Sequence, residues 1–294
     1  SNAIALNSSM FNMARLVGPS IAGILIAWVG EGVCILINAV SYIAVLASLL
    51  MLRLEPLVKE VRQGNVWESL RDGFSYAFGF PPIRALILIV GLISLFGMPF
   101  SVMLPVFARD ILQGGANTLG YLMGASGLGA LSGALFLAQR KSVLGLGKVI
   151  IFTMTLFGTA LMAFSFSTIL WLSLILMLFS GFGMIVTMAS CNTLLQTLVD
   201  DDKRGRVMSL YATAFMGMAP LGSMLAGSVA EQIGVAYTLL GCGFLCAVSV
   251  TPFAWNLKRL RLMVQPIYER LGIAPEIATG LRTATKLTAP PGKR

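Results

Sequence analysis

Arg15 is set inside a long apolar run, "NMARLVGPSIAGILIAWVG" (residues 12–30). On a helix it shares one stripe with Ser8, Asn12 and Pro19, at spacings i, i+4, i+7 and i+11. A guanidinium flanked by a hydroxyl and an amide can attract and hydrogen-bond an anionic or carbonyl-bearing solute. The same charge alone at the centre of a bilayer helix would cost about 2.5–3.5 kcal/mol on insertion scales. Two roles fit Arg15. Its helix lines a water-filled pathway, or Arg15 is structural, bonding carbonyls freed by Pro19 or pairing with an acid on another helix.

A second polar group lies in the run 170–199, where Thr187, Asn192 and Gln196 interrupt apolar sequence and the two amides stand at i, i+4. Membrane-embedded amides need partners, either on a neighbouring helix or in a cavity. Ser94, Asn38, Tyr42 and Tyr211 are weaker members of the same class. The charged stretch "DDDKRGR" (200–206) reads as a solvated turn, or as a gate in which Arg204 or Arg206 pairs with an acid such as Asp202 in one conformation.

Other chemistry is excluded. The chain has no histidine, so imidazole is absent from any acid–base or metal-binding scheme. Its four cysteines, Cys34, Cys191, Cys242 and Cys246, sit in apolar sequence without other ligand types and read as packing thiols. No metal or cofactor is expected. All twelve acidic residues fall in connections or at the ends of apolar runs, so no carboxylate is placed mid-membrane to carry a proton. Clustered carboxylates and nucleophile–base pairs are missing from the runs as well, which argues against an enzyme.

The elements that must position these residues follow from composition. Hydrophobic residues make up 57% of the 294 and charged residues only 11%, too few charges to clothe a soluble globule. Eight apolar runs are long enough to cross a bilayer: 5–29, 33–52, 83–107, 119–138, 149–166, 170–199, 207–230 and 236–257. With these boundaries all but two of the 21 Lys and Arg residues fall on one side, the exceptions being Arg15 and Arg109. The positive-inside rule makes that side cytoplasmic and puts both termini there, while the net charge of +9 then reflects topology rather than nucleic-acid binding. Between the second and third runs, Trp67, Leu70, Phe74 and Phe78 fall at helical spacing opposite Glu68, Arg71 and Asp72, which predicts an amphipathic helix at the membrane surface or beneath the bundle. The basic, proline-broken tail from Lys258 reads as cytoplasmic and touches anionic lipid through Lys258, Arg259 and Arg261.

The chain also repeats itself. A shift of 204 residues lays "GPSIAGILIAWVG" (18–30) on "GSMLAGSVAEQIG" (222–234), matching Gly18 with Gly222, Ala22 with Ala226, Gly23 with Gly227 and Gly30 with Gly234. The later copy then holds six spans and the earlier only two, so about 120 residues carrying four helices are expected to be absent from the front of the chain. This divides the sequence into the last two helices of an N-terminal bundle (1–57), a cytoplasmic central loop (58–82), a C-terminal six-helix bundle (83–257) and a basic tail (258–294).

Three stretches, "NSSMFNMARLVGPSIAG", "LPVFARDIL" with "LGYLMGASGLGALSGAL", and "RGRVMSLYATAFMGMAPLGSMLAG", resemble the major facilitator superfamily, and within it the bacterial exporters that include enterobactin and multidrug efflux proteins. The resemblance covers residues 1 to about 257 and implies the C-terminal two thirds of a twelve-helix fold, two six-helix bundles rocking about a central site. "GPSIAG" resembles the antiporter motif GPxxGG, departing from it at Ala22, with Ala14 in place of an upstream glycine. In that family the fifth and eighth helices meet across the bundles, so the resemblance implies that Gly18 and Ala22, in the motif that also holds Pro19 and Gly23, pack near Gly124 and Gly127. It implies a secondary-active exporter of a small molecule such as a drug or siderophore, in a bacterial inner membrane, driven by protons if the titrating acid lies elsewhere. The alternatives are an integral-membrane enzyme and a non-transporting scaffold.

Overall fold

The computed structural model describes residue 29 and residues 32–51, 66–140 and 142–273. Every regular element among the described residues is a helix, and seven stretches are long and apolar enough to span a membrane. In chain order the elements are α1 (Gly32–Met51), α2 (Val66–Gly79), α3 (Pro81–Ile111), α4 (Ala116–Ala138), α5 (Leu146–Ser165), α6 (Leu170–Leu198), α7 (Asp201–Ile233), α8 (Val235–Ser249) and α9 (Thr251–Arg270). The last two form one apolar span broken at Val250, just before Pro252. The protein is an all-α membrane protein, and its long helices follow the apolar runs of the sequence but outreach two of them, α7 starting at Asp201 within the expected turn and α9 continuing to Arg270 through the start of the expected tail; the run 5–29 lies outside the described residues except for Val29.

α3 shows how proline is accommodated. Phe80 is extended, and Pro81 and Pro82 occupy the first turn, where no backbone N–H is needed. Pro99 and Pro105 then fall inside the rod, bracketed by two π-turns, Ile93–Gly97 and Phe107–Ile111. Pro99 has no N–H, so the Leu95 carbonyl loses its α-helical donor and the turn widens there.

The core gathers around α5, whose Ile150, Met154, Phe157, Leu161 and Phe164 are all fully buried. Phe107 of α3 stacks on Phe164 with ring centroids 4.2 Å apart, and Phe100 meets Phe157 edge-on at 6.3 Å. α6 runs along both α4 and α5, and α8 runs along α5. Where α4 crosses α6 the backbones touch: a Cβ on Gly129 would strike the Leu178 carbonyl, and one on Gly181 the Ser126 carbonyl. In lipid, where apolar side chains gain nothing by leaving the solvent, such close approach is the main source of helix–helix attraction.

Outward faces are apolar, as lipid requires. α1 is exposed along nearly its whole length. Exposed rings sit at both levels where the membrane would end. Tyr121, Trp171 and Tyr237 mark the arginine-poor end, and Trp255 lies three residues before the basic cluster that opens at Lys258. At the basic end α2 lies against the first turns of α7, with Ala77 fully buried and Gly73 so close that an added Cβ would stand 3.1 Å from the Arg206 Cβ.

Candidate functional site

Thr187 is fully buried, and its hydroxyl lies 2.8 Å from the Thr153 hydroxyl of α5. Thr153 already donates to the Val149 carbonyl one turn back, so Thr187 donates to Thr153 and both oxygens are satisfied. The pair ties α6 to α5. Nearby, the hydroxyls of Ser180 and Ser190 are buried without a partner among the described residues.

Toward the basic end α6 changes character. Gln196 donates from its amide nitrogen to the Asn192 side-chain oxygen, closing the i, i+4 pair within one helix. Asn192 stands beside the Tyr211 hydroxyl of α7, which also lies 3.4 Å from the Met188 carbonyl. Asn192 and Tyr211 are half-buried and Gln196 is exposed. Two amides and a phenol therefore make one uncharged patch of donors and acceptors where α6 and α7 meet. Sequence reasoning ranked Tyr211 low, because its partner is contributed by a different helix.

α7 also has an open face, on the side away from Tyr211, which lies in line with Phe215 and Gly222. Thr213, Met216, Gly217, Pro220 and Met224 are exposed along it, at helical spacing. The opposite face of α7 packs on α3, where Ser94 donates to the Phe215 carbonyl and a Cβ on Gly222 would collide with the Leu95 carbonyl. The carbonyl orphaned by Pro99 is thus covered by a glycine. Gly124 and Gly127 are buried on α4, and Gly127 borders a cleft of about 130 Å³ with Phe100, Ser126 and Met184. Ser8, Asn12, Arg15, Gly18, Pro19, Ala22 and Gly23 lie outside the described residues.

At the basic end the contacts centre on Asp200. Its carboxylate lies 3.5 Å from the Tyr76 hydroxyl of α2 and 3.8 Å from the Arg270 guanidinium of α9. Lys203 sits over the Tyr76 ring at 4.5 Å. Burial, and then the neighbouring Asp200 charge, push the Tyr76 phenol above its ordinary pKa. Each contact is long or exposed, so each is weak alone. Together they join α2, α7 and α9. Asp202 and Arg204 are exposed beside this cluster, while Arg206, with Lys203 and Ser75, lines a 250 Å³ polar pocket between α2 and α7.

A family model described as transmembrane secretion effector, of the major facilitator type, matches residues 1–265. The chain belongs to this family. Among major facilitator relatives, the staphyloferrin A transporter of Staphylococcus aureus is 25% identical over 263 residues, covering 88% of this chain and 65% of its own length. The multidrug efflux pump Tap of Mycolicibacterium fortuitum is 26% identical over 271 residues, covering 90% and 66%. An uncharacterized MFS-type transporter of Bacillus subtilis, YfmI, is 27% identical over 253 residues, covering 83% and 61%. The chain thus spans a little under two thirds of the length of these major facilitator proteins.

Proposed function

We propose that the chain serves a secondary-active exporter that moves a small, largely apolar molecule bearing hydrogen-bonding groups out of a bacterial cytoplasm by alternating access. The observation that carries this reading is the uncharged patch of Asn192, Gln196 and Tyr211 where α6 and α7 meet, on a bundle whose α7 also bears an exposed, methionine-bearing face. A few uncharged polar groups among adaptable apolar side chains suit a drug-like solute better than a sugar or a metal ion. The names of two relatives, a multidrug efflux pump and a staphyloferrin A transporter, agree with transport of such molecules.

Arg15 extends the same pathway. The 204-residue shift lays Ser8, Asn12, Arg15 and Pro19 on Ala212, Met216, Ala219 and Ser223, of which the first two are exposed and the last two half-buried. Gly18 and Ala22 fall on Gly222 and Ala226, both buried. This supports a helix that packs by its small residues and turns the Arg15 stripe toward the pathway. Energy comes from the proton gradient, taken up by an acid outside the described spans, and Asp202, Arg204 and Arg206 form part of the cytoplasmic gate. The basic end faces the cytoplasm in this reading.

The test is efflux from cells carrying the intact gene for the whole transporter and loaded with fluorescent lipophilic dyes or a radiolabelled siderophore. Faster loss of label, abolished by a protonophore and reduced by Arg15→Ala, is expected. Unchanged retention across the panel would overturn export. Normal efflux by a less stable Arg15→Ala protein would remove Arg15 from the pathway.

A further inference from the structure

Between α3 and α9, at the basic end, runs a groove of about 320 Å³. Its floor is apolar, formed by Ile89, Phe253 and Leu260, all buried. One wall is Leu88, which is 48% exposed. Two arginines, Arg84 of α3 and Arg259 of α9, line the rim at the basic end. Among the described residues neither has an ion-pair partner. At the other end the groove closes at Leu92 and Ser249, beside the break between α8 and α9.

The dimensions decide what fits. From Arg84 to Leu92 is eight residues of helix, about 12 Å, and from Ser249 to Arg259 about 15 Å. One leaflet's share of the hydrocarbon core is also about 15 Å deep. The groove therefore starts at headgroup level, with two cations, and ends near the midplane, with walls between that are aliphatic and aromatic except for Asn256, whose amide donates to the Pro252 carbonyl of its own helix. A free inorganic anion would use the arginines and leave the slot empty. A zwitterionic lipid would use the slot and bring its own cation to the arginines.

We infer that this groove is a binding site for one anionic phospholipid, its phosphate held between Arg84 and Arg259 and one acyl chain laid along Leu88 and Ile89 toward Leu92. Arg261 makes the natural control. It is two residues from Arg259 on the same helix, yet lines the separate pocket on the other flank of α9. The site stands on its own geometry and does not depend on the transported molecule.

The experiment is thermal unfolding of the delipidated, detergent-purified protein with added phosphatidylglycerol, phosphatidylcholine of the same chains, or inorganic phosphate, with co-purifying lipid counted by native mass spectrometry. Phosphatidylglycerol should raise the Tm and remain as one bound lipid, and the other two additives should not. Each arginine near an anionic headgroup contributes enough that the double variant R84Q/R259Q should bind at least about tenfold more weakly. Leu88→Trp, which fills the slot with both arginines intact, should lose the effect too, and Arg261→Gln should keep it. Equal stabilisation by phosphatidylcholine or by phosphate alone would overturn the proposal, as would undiminished phosphatidylglycerol binding in both groove variants.

Discussion

Thr153 and Thr187 spend their hydroxyls on each other across the α5–α6 contact, 2.8 Å apart in a fully buried setting. A hydroxyl so used is not available to a passing solute. Interhelical side-chain hydrogen bonds in membranes contribute about 0.6 kcal/mol on average. Thr187→Val keeps the shape and leaves Thr153 bonded to the Val149 carbonyl. It should lower the Tm in detergent by a degree or two while efflux stays within about twofold of the parent. Loss of efflux with unchanged stability would return Thr187 to the pathway.

Asn192 and Tyr211 are expected to behave in the opposite way. Their groups are only half-buried and sit where α6 and α7 meet. Asn192→Leu or Tyr211→Phe should cut efflux by at least about fivefold for solutes that carry hydrogen-bonding groups, and less for plain hydrocarbons. Efflux measured over a series of dyes graded in polarity checks this. A uniform loss for all dyes would point to damaged packing instead.

Gly222 and Gly227 offer a matched pair on α7. A methyl at 222 meets the Leu95 carbonyl, which is backbone and cannot swing aside, whereas a methyl at 227 meets nothing within 4 Å. Gly222→Ala should destabilise the protein by about 1–3 kcal/mol, as overpacking does. Gly227→Ala should be neutral or slightly stabilising, since alanine is the better helix former. Thermal unfolding of the two variants side by side is sufficient.

The Tyr76 contact should loosen in alkali. Its phenol pKa is raised in the folded chain, chiefly by burial and then by Asp200, so folding favours the protonated form. Stability is therefore fully present below the unfolded value of about 10 and is lost as pH rises through the folded one. The Tm of the parent should fall more steeply above about pH 10 than that of Tyr76→Phe, which has no proton to lose. Parallel slopes would show that Tyr76 does not hold α2 on α7.

The spans were legible because lipid selects on a property that one-dimensional sequence carries, a long run without charge. Their ends were less so. α7 begins at Asp201 rather than near residue 207, because "DDKRGR" is helical although it is far too polar for a bilayer, and hydropathy is blind to a helix that continues into water. The π-turns of α3 escaped for a different reason. Pro99 and Pro105 announce that something must yield, but a kink, a break and a widened turn all relieve the missing donor, and packing chooses among them. The polar residues of α6 were visible as exceptions in an apolar run. Their division into a sealed pair and an open patch was not, since it depends on Thr153 and Tyr211, which lie 34 residues before Thr187 and 19 after Asn192.

The rings of Tyr121, Trp171 and Tyr237 at one level and Trp255 toward the other act like floats at two waterlines. Amphipathic rings resist being dragged either into oil or out of it, so they pin the bundle's height and help to set its tilt. The rocking that the proposed alternating access requires would then have to pivot about these two levels rather than slide through them.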